Sequence, residues 1–317
     1  MNFTLKQLRY VEAAGRLGSI AKAATEQSIS QSSITSAIDA LETSLAYNLF
    51  VRTPAKGIRA TPAGVDALTL IRGFIHQARH FETDLQSVGG DTSGHVRIAC
   101  YATAAPAFLP PILQNITENF PGISIQVMEG NLASIVDFLN DGKADLVFTY
   151  TDGLQTNHDF EPLFQAPPYA LLALDDPLAQ KPDVSFAELA EKPMVLLDLP
   201  RTRDYFVGLF ERRGFRPQIA HTTRSAEIAR ALVAGGFGYT ILNIRPLDYY
   251  EEKVGYRAVP IRDVHQGQVF GIATLSGTKQ PKIVHAFIES CRTLQRQGAF
   301  DRLTVWADDD AKHQKKG

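Results

Sequence analysis

The stretch SISQSSITSAIDALE, from Ser28 to Glu42, decides how the first third of the chain folds. Its apolar residues Ile34, Ile38 and Leu41, with Leu45 just beyond, recur three and four positions apart, the spacing of one helix face. The opposite face carries Gln31, Ser32, Thr35, Ser36 and Asp39 and has no lysine or arginine. Ser30 stands at the cap position, behind a tight turn expected at Gln27–Ile29. Upstream, Ser19 caps IAKAATEQ, whose alanines allow close helix crossing, and Thr4 caps a helix from Leu5 to Arg16 that Gly18 ends. Two helices joined by so short a turn form a helix-turn-helix pattern. Downstream, VRTPAKGIRAT places the turn residues Pro54 and Gly57 between extended pieces that carry Arg52, Lys56 and Arg59, a basic β-wing.

The polar face of the quoted helix suits bases better than phosphates. Gln31 can pair bidentately with adenine in the major groove, and Ser32, Ser33, Thr35 and Ser36 can donate or accept there. Phosphate anchoring then falls to Arg52, Lys56 and Arg59 and to the helix N-termini. The competing account is an ordinary helical subdomain whose polar face is merely solvated.

The chain has 317 residues, 44% hydrophobic and 21% charged, enough for two or three cored units of a globular protein. Its net charge of −2 gives no whole-chain sign of a nucleic-acid partner. The charge is unevenly placed: residues 1–60 hold seven Lys and Arg against four Asp and Glu, a balance of +3, which leaves −5 for the rest. With two distant cysteines, Cys100 and Cys291, no disulfide framework is expected, and a reducing compartment is. No signal peptide is expected, and the longest weakly polar run, Ile98 to Leu113, is too short to span a bilayer. The expected location is cytoplasmic.

Thr61 and Pro62 open a long helix toward Val88 whose apolar positions Ile71, Phe74, Ala78, Phe81, Leu85 and Val88 form a coiled-coil seam, so pairing of two chains is expected there. GGDTSG follows as a hinge. From residue 95 onward short apolar runs such as VRIAC, ISIQVM, DLVFTY, YALLAL, MVLLD and YTILN alternate with amphipathic helical segments. That order implies an α/β domain on a parallel sheet, divided into two lobes. The division expected is a DNA-binding domain at 1–61, a linker helix and hinge at 62–90, and a second domain at 91–300. Lobe I of that domain spans about 91–163 and 267–300 and lobe II about 164–266, with a disordered tail over 301–317.

Two segments, LKQLRYVEAAGRLGSIAKAATEQSISQSSITSAIDALE and LFVRTPAKGIRATPAG, make residues 3–64 resemble the N-terminal domain of LysR-type transcriptional regulators. FPGISIQV, LNDGKADLVF and LVAGGFGYTILN fall where that family has similar segments in a two-lobed effector domain like those of periplasmic binding proteins. The resemblance implies double-stranded operator DNA as partner, assembly as a homodimer or tetramer through linker helix and effector domain, and RNA polymerase contact if the protein activates. It also places Gln31, Ser32, Ser33, Thr35 and Ser36 at or beside the major groove. Family members often carry Arg at the position of Ser36, so the phosphate anchor per subunit is expected to be weaker here.

In two-lobed α/β domains ligands bind beyond the carboxyl ends of the strands. There the chain places Tyr101 and Thr103, then Asn131, then Tyr150, and further on Arg201, Thr202 and Arg203, then Thr223 and Arg224, and finally Asn243. Thr103 is expected to cap the helix behind it, and by resemblance it also falls where relatives hold the effector. Hydroxyls, amides and arginines at helix starts suit a small carboxylate, with no other cofactor implied. Asp198, Asp204 and Glu227 stand near enough to neutralise those arginines instead. Cys100 lies in an apolar strand and is expected to be a structural cysteine.

Enzyme readings find little support. The chain has no phosphate loop, GDTSG has Thr92 where a nucleophile elbow needs serine, and His76 and His80 have zinc-helix spacing without a third ligand, so they are expected to be solvated. A constitutive DNA-binding repressor or architectural protein with a non-sensing second domain remains the alternative.

Overall fold

The computed structural model describes residues 3–53, 57–86, 94–246, 255–277 and 280–307. It divides into an N-terminal unit, chiefly residues up to 88, and a C-terminal unit, chiefly residues from 89 onward.

The N-terminal unit begins with helices α1 (Leu5–Leu17), α2 (Ile20–Glu26) and α3 (Gln31–Leu45). Thr4 and Gln7 form a reciprocal capping box on α1, and Ser19 and Ser30 cap α2 and α3. Between α2 and α3 the chain reverses through Ser28 in the left-handed region, φ 53°. Strands β1 (Phe50–Thr53) and β2 (Gly57–Ala60) pair antiparallel as the wing, with Phe50 opposite Ala60 and Thr53 opposite Gly57. Helix α4 (Pro62–Gln86) follows, its Thr61 cap accepting from the Gly64 amide at 2.9 Å. One core joins Leu8, Val11, Ile34, Ile38 and Leu41 to Ala67, Leu68, Ile71 and Ile75 of α4. Helices α1 and α4 approach so closely that a Cβ on Gly15 would lie 2.6 Å from a Leu68 methyl.

The seam expected on α4 is therefore redrawn. Ile71 is not on the free face, because the N-terminal core covers it. The free apolar face runs through Leu70, Phe74, Phe81 and Leu85, with Phe81 63% exposed and Ala78 half-buried. Val88 and most of the GGDTSG hinge lie outside the described residues. His76 is buried, not solvated, and the His80 side chain lies outside the described residues.

The C-terminal unit has two lobes, each with its own core. Lobe I is built on β3 (Gly94–Tyr101), β4 (Ile123–Gly130), β5 (Leu146–Tyr150), β6 (His158–Ala166) and β12 (Gln268–Leu275), in sheet order β4-β3-β5-β12-β6. Helices α5 (Ala105–Asn119), α6 (Leu132–Asn140) and α10 (Lys282–Arg296) accompany it. Lobe II contains β7 (Tyr169–Ala173), β8 (Pro193–Leu197), β9 (Gln218–Thr223), β10 (Thr240–Leu242) and β11 (Tyr256–Pro260), with helices α7 (Phe186–Ala190), α8 (Thr202–Glu211) and α9 (Ala226–Ala234). The chain crosses between lobes after β6 and returns before β12.

That return makes the sheets mixed rather than wholly parallel. Strands β3, β4 and β5 are parallel, whereas β12 re-enters lobe I from the far side and runs antiparallel to both β5 and β6. In lobe II, β7 pairs antiparallel with β10 and β11, while β8 and β9 are parallel. The disorder expected from residue 301 does not begin there: Asp301–Leu303 form a 3-10 turn, and Phe300 and Leu303 are buried in the lobe I core. Of the two, Leu303 lies in the expected tail, and its apolar side chain is what holds that turn to the core. Residues 308–317 lie outside the described part.

Candidate DNA-binding surface and effector cleft

Helix α3 buries Ile34, Ala37, Ile38 and Leu41 and turns Gln31, Ser32, Ser36 and Asp39 outward. Ser33 is exposed, but its hydroxyl shares a 2.9 Å hydrogen bond with that of Ser30, and Thr35 is half-buried. The Ser32 hydroxyl likewise shares a 2.8 Å hydrogen bond with that of Ser30, so in the first turn of α3 Gln31 is the outward polar side chain that takes no part in the cap. The Glu42 carboxylate, on the same helix, accepts from the amides of Leu49 at 2.7 Å and Phe50 at 3.0 Å. In doing so it fixes where the wing leaves the helix.

On the wing, Arg59 is exposed and Lys56 lies outside the described residues. Arg52 is exposed too, but its guanidinium is paired with the Asp39 carboxylate. The phosphate role expected of Arg52 meets a competitor in Asp39, which thirteen residues of sequence conceal. Only the wing's fold brings them together.

In the C-terminal unit the carboxyl ends of β3, β4 and β5 meet at Tyr101, Gly130 and Tyr150, Tyr101 being directly opposite Gly130. Lobe II presents the start of α8 to them. The Tyr101 hydroxyl lies 3.0 Å from the Thr202 hydroxyl, and both residues are buried. Tyr150 meets the Tyr101 ring edge-on at 5.9 Å and the Phe270 ring at 5.1 Å. The Asn243 amide donates to the Ala166 carbonyl at 2.8 Å and to the Tyr205 hydroxyl at 3.2 Å. Arg201, ahead of α8, has φ 66°, and its guanidinium lies against Gly153 of lobe I, where a Cβ would fall 1.4 Å from Nη1.

Burial pushes the Tyr150 phenol well above its ordinary pKa, with Tyr101 and Tyr205 adding to the rise. Tyr205 is pushed up to about 12 by burial, against the lowering effect of Asn243. Tyr101 is raised by burial, while its hydrogen bonds with the Thr103 and Thr202 hydroxyls oppose the rise. The cleft lining is therefore neutral phenol, hydroxyl and amide, with Arg201 as a cation beside it.

Of the ten residues expected around an effector, Tyr101, Tyr150, Arg201, Thr202 and Asn243 come together with half-buried Thr103. Thr103 does not cap α5, whose N-cap is Ala104 with no side-chain bond. The others are used locally. Asn131 accepts from the amides of Ala133 and Ser134 at 3.0 and 3.1 Å, which caps α6. Arg203 pairs with Asp198 at 3.1 Å, both exposed. The Thr223 hydroxyl accepts from the Ser225 amide at 3.2 Å, and Arg224 is exposed. Tyr205 was missed, although it stands three residues after Thr202 on one helical face. Gly153 carried no signal in the sequence.

Among the described residues no group of His, Cys, Asp or Glu could hold a metal ion, and no helix is long and apolar enough to cross a membrane.

Residues 5–65 match the family model described as bacterial regulatory helix-turn-helix protein, lysR family, and residues 89–296 match the LysR substrate binding domain. A similar curated protein is the HTH-type transcriptional regulator TtuA of Agrobacterium vitis, 31% identical over 75% of this chain and 79% of its own. Among solved structures, HinK, a LysR family transcriptional regulator from Pseudomonas aeruginosa, is 30% identical with a TM-score of 0.60, covering 92% of this chain and 99% of its own. Full-length CbnR in complex with its target DNA shares the fold at 22% identity, with a TM-score of 0.55 over 92% of this chain and all of CbnR. The chain belongs to the LysR family of transcriptional regulators, with that family's DNA-binding helix-turn-helix and its substrate-binding domain.

Proposed function

We infer that this regulator binds operator DNA as a dimer or tetramer and changes its operator contacts when a small carboxylate enters the cleft between lobes I and II. The observation that carries the effector reading is the start of α8. Arg201 and Thr202 stand at the N-terminus of a ten-residue helix and face the carboxyl ends of β3 and β5. A helix N-terminus with a guanidinium and a hydroxyl beside it favours a carboxylate by charge and by hydrogen bonding. Two chain crossings join the lobes, so a ligand touching both shifts the balance between open and closed forms.

Self-association is supported by the free face of α4, where Leu70, Phe74, Phe81 and Leu85 stay exposed, and by the apolar groove of about 280 Å³ beside it, lined by Phe3, Leu45, Tyr47, Leu70 and Phe74. A lone helix keeping that much apolar surface in water is unfavourable, and a second copy removes it. CbnR, which shares the fold, forms a complex with its target DNA, in keeping with DNA as the partner.

The test is thermal unfolding of the full chain against a panel of small aliphatic and aromatic acids. A ligand at one hundred times its Kd adds about 2.7 kcal/mol of stability. At least one acid is expected to raise the Tm of the native chain and to leave Thr202→Val unmoved. A flat panel would return the protein to the constitutive alternative.

A further inference from the structure

We propose that Tyr101 is a resident ligand of this domain: its phenol fills the interlobe cleft and holds the lobes together through Thr202, so that an effector enters by displacing it. The proposal rests on the reading of that cleft as the effector site.

Three observations carry it. First, the phenol sits at the carboxyl end of β3, where a two-lobed α/β domain takes its ligand, and it is only 4% exposed. Second, its bond crosses the cleft. The Tyr101 ring belongs to the core of lobe I, whereas Thr202 opens α8 in lobe II, and their hydroxyls are 3.0 Å apart. A ligand oxygen would make this same contact. Third, the neighbouring interlobe contact is built at a conformational cost. Arg201 is a non-glycine residue at φ 66°, and its exposed side chain lies over Gly153 of lobe I, where a Cβ would make the guanidinium shift. Tyr150 and Phe270, stacked edge-to-face behind Tyr101, hold its ring in place.

The bond is suited to displacement. A hydroxyl–hydroxyl hydrogen bond is weaker than a charge-assisted one, so a carboxylate offering its oxygen to Thr202 beside Arg201 outcompetes the phenol. Removing the side chain at 101 should then leave a phenol-shaped vacancy.

The test uses the full chain and 4-methylphenol as probe. Tyr101→Ala is expected to bind 4-methylphenol at least ten-fold more tightly than toluene, which lacks the hydroxyl, and to regain Tm when it does. Adding Thr202→Val should reduce that preference to what the Thr103 hydroxyl supplies, and the native chain should ignore both compounds. Equal binding of the two compounds, no binding, or an equal response from the native chain overturns the proposal. Should Tyr101→Ala not fold, Tyr101→Phe decides, since it keeps the ring and removes only the hydroxyl with its bonds to Thr202 and Thr103. Amide hydrogen exchange at Leu199–Thr202 is then expected to quicken at least ten-fold, and an unchanged rate overturns the proposal. Neither test needs the natural effector. An acid that stabilises the native chain and Tyr101→Phe with equal affinity removes the resident ligand and leaves the effector reading standing. Rescue by 4-methylphenol with no responsive acid does the reverse.

Discussion

The Arg52 guanidinium of the wing is paired with the Asp39 carboxylate of helix α3, so a cation suited to phosphate is held inside its own domain. Both groups are exposed, so the pair is worth little to stability, and its consequence lies in DNA binding. Asp39→Asn should free Arg52 for the backbone, tighten binding to every sequence, and steepen the logarithmic salt dependence by about 0.9 per subunit. Arg52→Ala added to Asp39→Asn should abolish that gain, while Arg52→Ala alone should change binding little. If Asp39→Asn leaves the salt slope where it was, Asp39 does not withhold Arg52 from the DNA backbone.

Glu42 has a structural duty. Its carboxylate accepts two backbone amides where the chain leaves α3 for the wing, and the residue is half-buried. Glu42→Ala strands both donors and is expected to cost about 2–3 kcal/mol in urea unfolding, while Glu42→Gln, which keeps an acceptor, should lose less than half of that. Equal losses would show that charge, not hydrogen bonding, holds the junction.

The free face of α4 makes a prediction about assembly. Phe81→Glu places a charge in the middle of the apolar stripe and should convert the protein to monomers in sedimentation analysis without changing its helix content. An unchanged sedimentation coefficient would move the self-association surface elsewhere.

Both cysteines are buried and free. Burial pushes the Cys100 thiol well above its ordinary pKa, with the Glu129 charge adding to it, and burial also raises Cys291. Neither thiol should react with Ellman's reagent until denaturant is added, and peroxide should leave operator binding unchanged. Rapid reaction of the native protein would revive a thiol-sensing mechanism.

The helix-turn-helix was legible because its signals are local. Thr4, Ser19 and Ser30 each cap a helix within reach of their own side chains, and the spacing of Ile34, Ile38 and Leu41 names the buried face without knowledge of the neighbours. The face of α4 was harder. Ile71 and Phe74 fit one seam equally well, and only the packing of α4 against α1 shows that Ile71 is covered and Phe74 is not. In the cleft the strand ends located Tyr101, Tyr150, Thr202 and Asn243. Which arginine is taken up by a neighbouring carboxylate depended on pairings such as Arg203 with Asp198, which sequence proximity allows but does not decide. That a tyrosine from lobe I bonds a threonine from lobe II, a hundred and one residues away, depends on the fold alone.

The most direct measurement is a quantitative footprint of the full chain on DNA selected from a random pool, taken with and without the acid that raises its Tm. The account predicts that the acid changes the length or spacing of the protected half-sites, and that Thr202→Val keeps one footprint throughout. Identical footprints with and without a bound acid would contradict the claim that the cleft controls operator contacts.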